Sequence, residues 1–161
     1  AKPVSVSPNP CASTGGDDPL FVRWQQPGRS SENQRHLQAH EVRSFLDQLL
    51  EVDAGAAVVV LGDINDFEFS TTIDLVVGSG PKAMVDLPRT LPVNERYSYV
   101  FEGNSQVLDQ ILVSPALTVA PPGAKYPAFD YDIVHTNSEF HDQDSDHDPQ
   151  VVRLATRGGK G

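Results

Sequence analysis

The chain has 161 residues, 39% apolar and 21% charged, which is enough for one globular domain with a real hydrophobic core. Its formal net charge of −10 argues against broad electrostatic binding to nucleic acid, which needs clustered Lys and Arg. That charge still allows an enzyme that meets phosphates through a bound metal ion. No run of about 18 apolar residues occurs, so no membrane span is predicted. The single cysteine, Cys11, excludes an internal disulfide.

The N-terminal part of the chain predicts a strand, a loop and a long helix. Residues 1–7 alternate like a strand, and residues 8–30 are rich in Pro, Gly, Asp and Ser, which is typical of a loop. Residues 30–53 predict a helix, with Ser31 and Gln34 as a capping box. Helical spacing places five apolar residues on one face of it: Ala39, Val42, Phe45, Leu46 and Leu49.

The rest of the chain adds mainly strands. The run AAVVVLGD at 56–63 is almost entirely apolar and predicts a strand buried on both faces, with a short helix from about Ser70. Later strands are predicted at 97–101, 106–114, 129–137 and 147–154. A helix between strands, followed by a meander, implies a mixed sheet in an α/β or α+β layer. We expect a single domain over 1–154 and a flexible tail at 155–161.

The stretch DQDSDHDP at 142–149 places aspartates at every second position around a histidine. Carboxylates this dense need a cation, cationic side chains or full solvation. An EF-hand calcium loop starting at Asp142 needs Gly at its sixth position and Glu at its twelfth, but His147 and Arg153 stand there. A solvated acidic loop and a metal-dependent catalytic site remain open. Asp146 and His147 lie where this loop enters the last strand.

Two more groups of polar residues lie at strand ends. GDIND at 62–66 places Asp63 and Asn65 just past the buried strand, where extended backbone would point both side chains the same way. They could hold a metal ion and a phosphate oxygen, or form a simple turn. Asp109 shares a strand face with apolar residues, which is costly unless it is paired, so we expect a histidine or arginine partner. A satisfied core aspartate is the alternative.

In this order, GDIND, LDQI and SDHDP resemble the C-terminal motifs of the endonuclease/exonuclease/phosphatase superfamily, which includes pancreatic deoxyribonuclease and the abasic-site endonucleases. The stretches GDDPLF, SSENQRHLQA, GDINDFEFS and ERYSYVFEGNSQVLDQILVSPAL are similar to its bacterial secreted nuclease-like branch. The resemblance covers nearly all of residues 2–154. It implies part of a sandwich of two mixed sheets flanked by helices. It also implies hydrolysis of phosphate esters with Mg²⁺, or sometimes Mn²⁺ or Ca²⁺.

The resemblance also implies a role for each site residue. Asp63 would lie near the attacking water or the metal, and Asn65 on a phosphate oxygen. Asp109 would hold and polarise a catalytic histidine. Asp146 would contact the metal or the water, and His147 would bind the phosphate and stabilise its developing charge. Asp63 and Asp146 are therefore the expected metal ligands.

The sequence departs from the family pattern in two ways. The family unit has an N-terminal half with a metal-binding glutamate, and this chain resembles the second half only. Uncovered sheet at 58–61 (VVVL) and 111–113 (ILV), and homo-oligomers, are expected consequences. The family also has an Asn-His pair after the first strand, where this chain has Asn9 and Pro10. With Pro10 in the place of the histidine, we expect Asp109 to lack a ring to orient.

Three functions remain open from the sequence. The first is a metal-dependent phosphoesterase, nuclease-like, acting on phosphodiester or phosphomonoester bonds, with DNA or RNA among its potential substrates. The second is a catalytically impaired remnant or binding module on the same scaffold, and the third is a hydrolase of other esters. The branch that the chain resembles implies an extracellular location, with the cytoplasm as the alternative.

Overall fold

The structure is a computed structural model and describes residues 4–18, 23–26 and 28–155. The first three residues of the predicted N-terminal strand lie outside the described residues. So does the predicted tail, except for Ala155. The helices and longer strands, in chain order, are β1 (Val4–Pro8), α1 (Ser30–Val52), β2 (Ala57–Asp63), α2 (Thr71–Val77), β3 (Val85–Asp86), β4 (Tyr99–Phe101), β5 (Asn104–Gln106), β6 (Asp109–Val113), β7 (Phe129–Ile133) and β8 (Gln150–Leu154).

A four-stranded mixed sheet in the order β1-β2-β6-β3 forms the centre of the fold. β1 runs parallel to β2, while β6 runs antiparallel to both β2 and β3. Val58 and Val60 of β2 pack on the side of α1 and α2, and Val59 packs on the opposite side. The predicted strand at 56–63 is thus buried on both faces, as its apolar run indicated.

Two hydrophobic cores cover the two faces of this sheet. One contains Leu46 and Leu50 of α1 against Val58 and Leu112. On the other face, the antiparallel pair β7–β8 forms a second sheet, and Tyr131 and Ile133 of β7 belong to the other core. The predicted α/β or α+β class is therefore confirmed, with β4 and β5 forming a third, two-stranded sheet.

The expectation that VVVL and ILV would be uncovered is wrong, because β2 and β6 are the inner strands of the central sheet. The edges are β1 and β3 instead. Beside β1, an open groove is lined by apolar side chains that include Phe45, Leu49 and Val52. Phe45 was predicted to face the core, but its side chain is 54% exposed in this groove.

The start of α1 differs from the predicted capping box. Arg29 occupies the N-cap position, and no side chain there bonds the first turn. Ser31 instead lies inside the helix, where its hydroxyl and backbone N–H donate to the carboxylate of Asp17. The carboxylate satisfies an orphan amide of the first turn in place of the serine. Within the described residues, no helix is long and apolar enough to cross a membrane.

The predicted strand at 106–114 is two strands. Gln106 ends β5, which pairs with β4 in a separate hairpin, whereas Asp109 begins β6 in the central sheet. Between β4 and β5 lie Glu102 and Gly103, with φ of 49° and 80°. Two consecutive positive φ values are typical of a type I′ turn, which glycine favours and which fixes a tight two-residue hairpin. The sequence pattern alone did not show where the chain changes sheets.

Asp86 of β3 is buried at 4% exposure, and its carboxylate accepts no hydrogen bond from the described residues. Arg89 Nε lies 3.3 Å from Asp86 Oδ2. Burial outweighs this ion pair and raises the pKa of Asp86 to about 7. The protonated form is therefore the one that the fold favours.

We expect Asp86→Asn to flatten part of the pH dependence of folding stability. A folded pKa above the unfolded value gives stability that is fully present below pH 3.8 and is lost as pH rises through about 7. Across that window the free energy of unfolding of the wild type should fall by up to about 1.4 kcal/mol per pH unit relative to that of Asp86→Asn. Urea unfolding of both proteins between pH 4 and 8 measures this difference. A difference that does not change with pH would contradict the raised pKa.

Candidate active site

The pairing of β2 with β6 brings two of the predicted site residues together. Asp63 at the end of β2 stands directly opposite Asp109 at the start of β6. Residues opposite each other in an antiparallel pair have Cβ atoms about 5 Å apart, so the two carboxylates share one end of the sheet. This end of the sheet is the candidate active site.

The segment after β1 runs along the same end of β2. The backbone N–H of Asn9 donates to Leu61 O at 2.8 Å, and that of Cys11 donates to Asp63 O at 2.9 Å. Gly62 makes this approach possible, because its φ is +149° and a Cβ there would lie 2.8 Å from Asn9 O. The glycine of the GDIND motif therefore has a steric reason to precede Asp63.

Asp63 ends β2, but the backbone does not stay extended as far as Asn65, so the expectation of one extended segment carrying both side chains is wrong. Asn65 has φ of 54°, in the left-handed region that asparagine tolerates. Asp63 Oδ1 accepts the backbone N–H of Asn65 at 2.9 Å, and Asn65 Nδ2 donates to Cys11 O at 3.2 Å. The alternative of a tight turn is the observed geometry, and both the backbone and the side chain of Asn65 contact the Asp63 carboxylate.

Asp109 has a histidine partner, and that partner is His147. The Nδ1 of His147 lies 2.6 Å from Asp109 Oδ2, and Ser98 Oγ donates to the same oxygen at 2.6 Å. The expectation that Pro10 leaves Asp109 without a ring is therefore wrong. From the sequence, His147 was expected to contact the phosphate only, and its contact with Asp109, 38 positions away, was not predicted. Ser98 was missed altogether.

The bonded Nδ1 leaves the opposite nitrogen, Nε2, for a ligand. His147 Nε2 makes no hydrogen bond within the described part of the chain, and the side chain is 26% exposed. A histidine held at one nitrogen by a carboxylate and open at the other has a fixed orientation and tautomer. This arrangement suits proton transfer or phosphate binding.

The charges around His147 alter two pKa values. Partial burial acts to lower the pKa of His147, but the hydrogen bond to Asp109 and the charges of Asp109, Asp63 and Asp146 outweigh it and raise the pKa. Burial raises the pKa of Asp63, and the charge of Asp109 adds to this while the Asn65 amide opposes it. The site therefore favours a protonated histidine beside a carboxylate that is more basic than usual.

Asp148 is a structural residue that sequence analysis missed. It is 3% exposed, and its Oδ1 accepts the backbone N–H groups of Thr136, Asn137 and Ser138 at 2.7–3.0 Å. Burial alone would raise the pKa of Asp148, but these bonds and the Ser138 hydroxyl hold it well below its usual range. This anchor fixes the chain next to His147.

Asp146 and the other aspartates of the DQDSDHDP stretch before it, Asp142 and Asp144, are exposed. No group of three or more His, Cys, Asp or Glu side chains in the described parts of the chain is placed to hold a metal ion. The charges of Asp63 and Asp146 both contribute to the raised pKa of His147. Mg²⁺ binds through one or two carboxylates together with waters and substrate oxygens, and it does not need a closed cage of protein ligands. Two carboxylates at this site would therefore suit Mg²⁺.

A buried ion pair supports the site from α1 and was also missed. Arg35 is 4% exposed, and its Nε lies 3.2 Å from Asp66 Oδ2. Arg35 Nη1 donates to Ala12 O at 3.4 Å, and Thr72 Oγ1 donates to Asp66 Oδ2 at 2.5 Å. The pair thus ties the segment after β1 and the segment after β2 to one helix. Only the contact distances reveal this, since a helical arginine is usually exposed.

Comparison with known proteins agrees with the motifs. Residues 23–150 match the sequence model of the Endonuclease/Exonuclease/phosphatase family. The chain belongs to this family. Members of the family are generally hydrolases and usually use divalent metal ions. No match was found among curated proteins.

Two solved structures are similar to this chain over part of their length. A mannosyl-6-phosphatase of Bacteroides thetaiotaomicron VPI-5482 has a TM-score of 0.50 and 19% identity, over 79% of this chain and 48% of that one. An endonuclease/exonuclease/phosphatase family protein of Bacteroides thetaiotaomicron has a TM-score of 0.46 and 17% identity, over 75% and 44%. The chain therefore spans about half the length of these relatives. At 19% identity, the similarity to the mannosyl-6-phosphatase shows the fold alone.

We expect Asp109→Asn to destabilise the protein, contrary to what an unpartnered carboxylate would give. It weakens the contact with His147 in a pair that is only 23% and 26% exposed, so the loss should be about 1–3 kcal/mol. Chemical unfolding at pH 6 measures it. Asp132→Asn, which changes an exposed aspartate on β7, is the matched control and should stay within about 0.5 kcal/mol of wild type.

Proposed function

We propose that this chain hydrolyses phosphate esters at the end of the central sheet where β2 and β6 meet. The observation that supports this most strongly is the 2.6 Å contact between His147 Nδ1 and Asp109 Oδ2, opposite Asp63 in the strand register. A histidine that one carboxylate holds in a fixed orientation, with a raised pKa, can offset the negative charge that develops when water attacks a phosphate. Family membership is consistent with this reaction class.

Hydrolysis adds a water oxygen to phosphorus and breaks one P–O bond, while the water loses a proton and the departing oxygen gains one from solvent. Asp63 orients the attacking water, whose proton leaves to solvent. His147 contacts a phosphate oxygen through Nε2 and offsets the charge that develops there. Asn65 holds the Asp63 carboxylate next to the phosphate.

A divalent ion, when bound, would lower the pKa of the water and neutralise phosphate charge. Asp63 and Asp146 would hold it, and Mg²⁺ is preferred, with Mn²⁺ or Ca²⁺ as alternatives. The net charge of −10 favours small phosphate esters over long nucleic acids as substrates. A phosphatase of the same fold acts on a mannosyl phosphate, which is consistent with a small substrate.

We expect the chain to release 4-nitrophenol from bis(4-nitrophenyl) phosphate with MgCl₂ and to stop when EDTA is added. His147→Gln should lower kcat by about 10²–10⁴-fold, because it removes the charged hydrogen-bond donor. Initial rates by absorbance measure both effects. His141→Gln, an exposed histidine in the same segment, is the control and should keep the wild-type rate.

Equal rates for wild type and His147→Gln would assign the activity to a contaminant. No release at all, with folding confirmed by circular dichroism, would contradict the proposal and favour the impaired remnant or binding module.

We expect MgCl₂ or MnCl₂ to give a binding heat that depends on Asp63 and Asp146. Isothermal titration of the Asp63→Asn/Asp146→Asn double variant should show the heat disappear, because both proposed oxygen ligands lose their charge. The matched control is Asp142→Asn/Asp144→Asn, which removes two exposed charges from the same acidic stretch. If the control loses the heat to the same extent, the ion is attracted by the acidic loop in general and the site assignment is wrong.

A further inference from the structure

Aromatic side chains follow one another along β4 and lead away from His147. Tyr99 lies next to the histidine, with ring centroids 4.9 Å apart. Phe101, two residues further on the same face of the strand, lies 6.3 Å from Tyr99, and the two rings are within 9° of parallel. We call Tyr99 and Phe101 the aromatic strip.

The aromatic strip is accessible and held in place. Phe101 is 52% exposed, and Tyr99 is partly exposed. The type I′ turn at Glu102 and Gly103 closes the hairpin directly after Phe101, and Tyr99 also forms a β-bridge with His147. Exposed aromatic rings cost free energy in water, because their apolar faces remain hydrated. Neither core of the sandwich contains either ring.

We propose that the aromatic strip binds a planar ring carried by the substrate, while His147 contacts its phosphate. This rests on the proposed function of His147 and adds the substrate class: phosphate esters with an aromatic ring close to the phosphorus. Tyr99 is the aromatic ring next to His147, and Phe101 is the next ring along the same strand. Parallel, offset rings are a favourable surface for a further planar ring.

Charge and size separate this ligand from a nucleic acid chain. The strip offers two rings, and the turn that follows it contains an acid, Glu102. A polyanion would need a row of cations for its backbone, which a chain of net charge −10 does not favour. The shared chemistry is therefore one aromatic ring near one phosphate, as in an aryl phosphate or a single nucleotide.

Binding of non-hydrolysable phosphonates tests the strip separately from catalysis. Phenylphosphonate, cyclohexylphosphonate and a nucleoside 5′-phosphonate are titrated into the ¹⁵N-labelled chain, with MgCl₂ present, and Kd is taken from amide shifts. Phenylphosphonate should bind roughly threefold to tenfold more tightly than cyclohexylphosphonate, which has the same number of carbons without a planar face. The nucleoside phosphonate distinguishes a nucleotide from a simple aryl source.

Phe101→Leu should abolish the preference for the phenyl over the cyclohexyl ligand, and Phe101→Trp should restore it. Tyr126→Leu removes an exposed aromatic ring that stacks on Arg153 instead, and should leave the preference unchanged. Three results would contradict ring binding by the aromatic strip. They are an equal Kd for the two ligands in wild type, a preference that survives in Phe101→Leu, and no binding of any phosphonate.

The two proposals fail differently. A ring preference that depends on Phe101, in a protein that hydrolyses no ester, keeps the strip and contradicts the proposed function. The second test measures hydrolysis of 4-nitrophenyl ethyl phosphate and of 4-nitrophenyl phenyl phosphate by wild type and by Phe101→Leu. If each substrate has the same kcat/KM with both proteins, the proposed hydrolysis stands and the proposed role of the aromatic strip is wrong.

Discussion

The antiparallel pairing of β2 with β6 is the constraint on which the candidate site depends. Its register sets Asp63 directly opposite Asp109. The negative charge of Asp109 contributes to the raised pKa of Asp63. Two like charges at this distance repel unless a cation offsets them. His147 supplies that cation, because both aspartates favour its protonated form. The same charges that repel each other at this sheet end therefore raise the pKa of His147.

The second requirement is that irregular segments meet this sheet end in one arrangement. Removing one partner from a buried ion pair costs about 3–5 kcal/mol, so such pairs are strong constraints on geometry. Arg35 and Asp66 form one, and Arg35 also holds the carbonyl of Ala12. Gly62 allows Asn9 to approach β2 closely enough for the same segment to bond Asp63. Side chains outside the reaction thus position those proposed for it.

The sequence predicted the elements of the central sheet better than the contacts between them. The apolar run that became β2 and the short helix after Ser70 have strong local signals, and both are present. The split between β5 and β6 has no such signal, because Val107 and Leu108 continue an apolar pattern while the chain changes sheets. Local pattern determines a strand, but only tertiary pairing determines its partner.

The same distinction holds in the site. Asp109 was recognised as a carboxylate that needs a partner, since charge on an apolar strand face is costly whatever the fold. Its partner was sought in the place of Pro10, because a motif fixes neighbours in sequence and not in space. Ser98, Asp109 and His147 come from three segments and share one carboxylate oxygen. No spacing rule connects positions that only strand pairing brings together.

The acidic stretch at 142–149 contains carboxylates with opposite requirements. Asp148 is buried, with one oxygen under backbone amides and the other against the ring of His135 and the Ser138 hydroxyl. Asp146, two residues earlier, is exposed and adds negative charge at His147. Because His147 lies between them, its backbone is held on one side by the Asp148 anchor and its ring on the other by Asp109. A histidine restrained at both ends loses little entropy on binding any ligand, so the Asp148 anchor pre-organises His147 for the proposed contact with a phosphate.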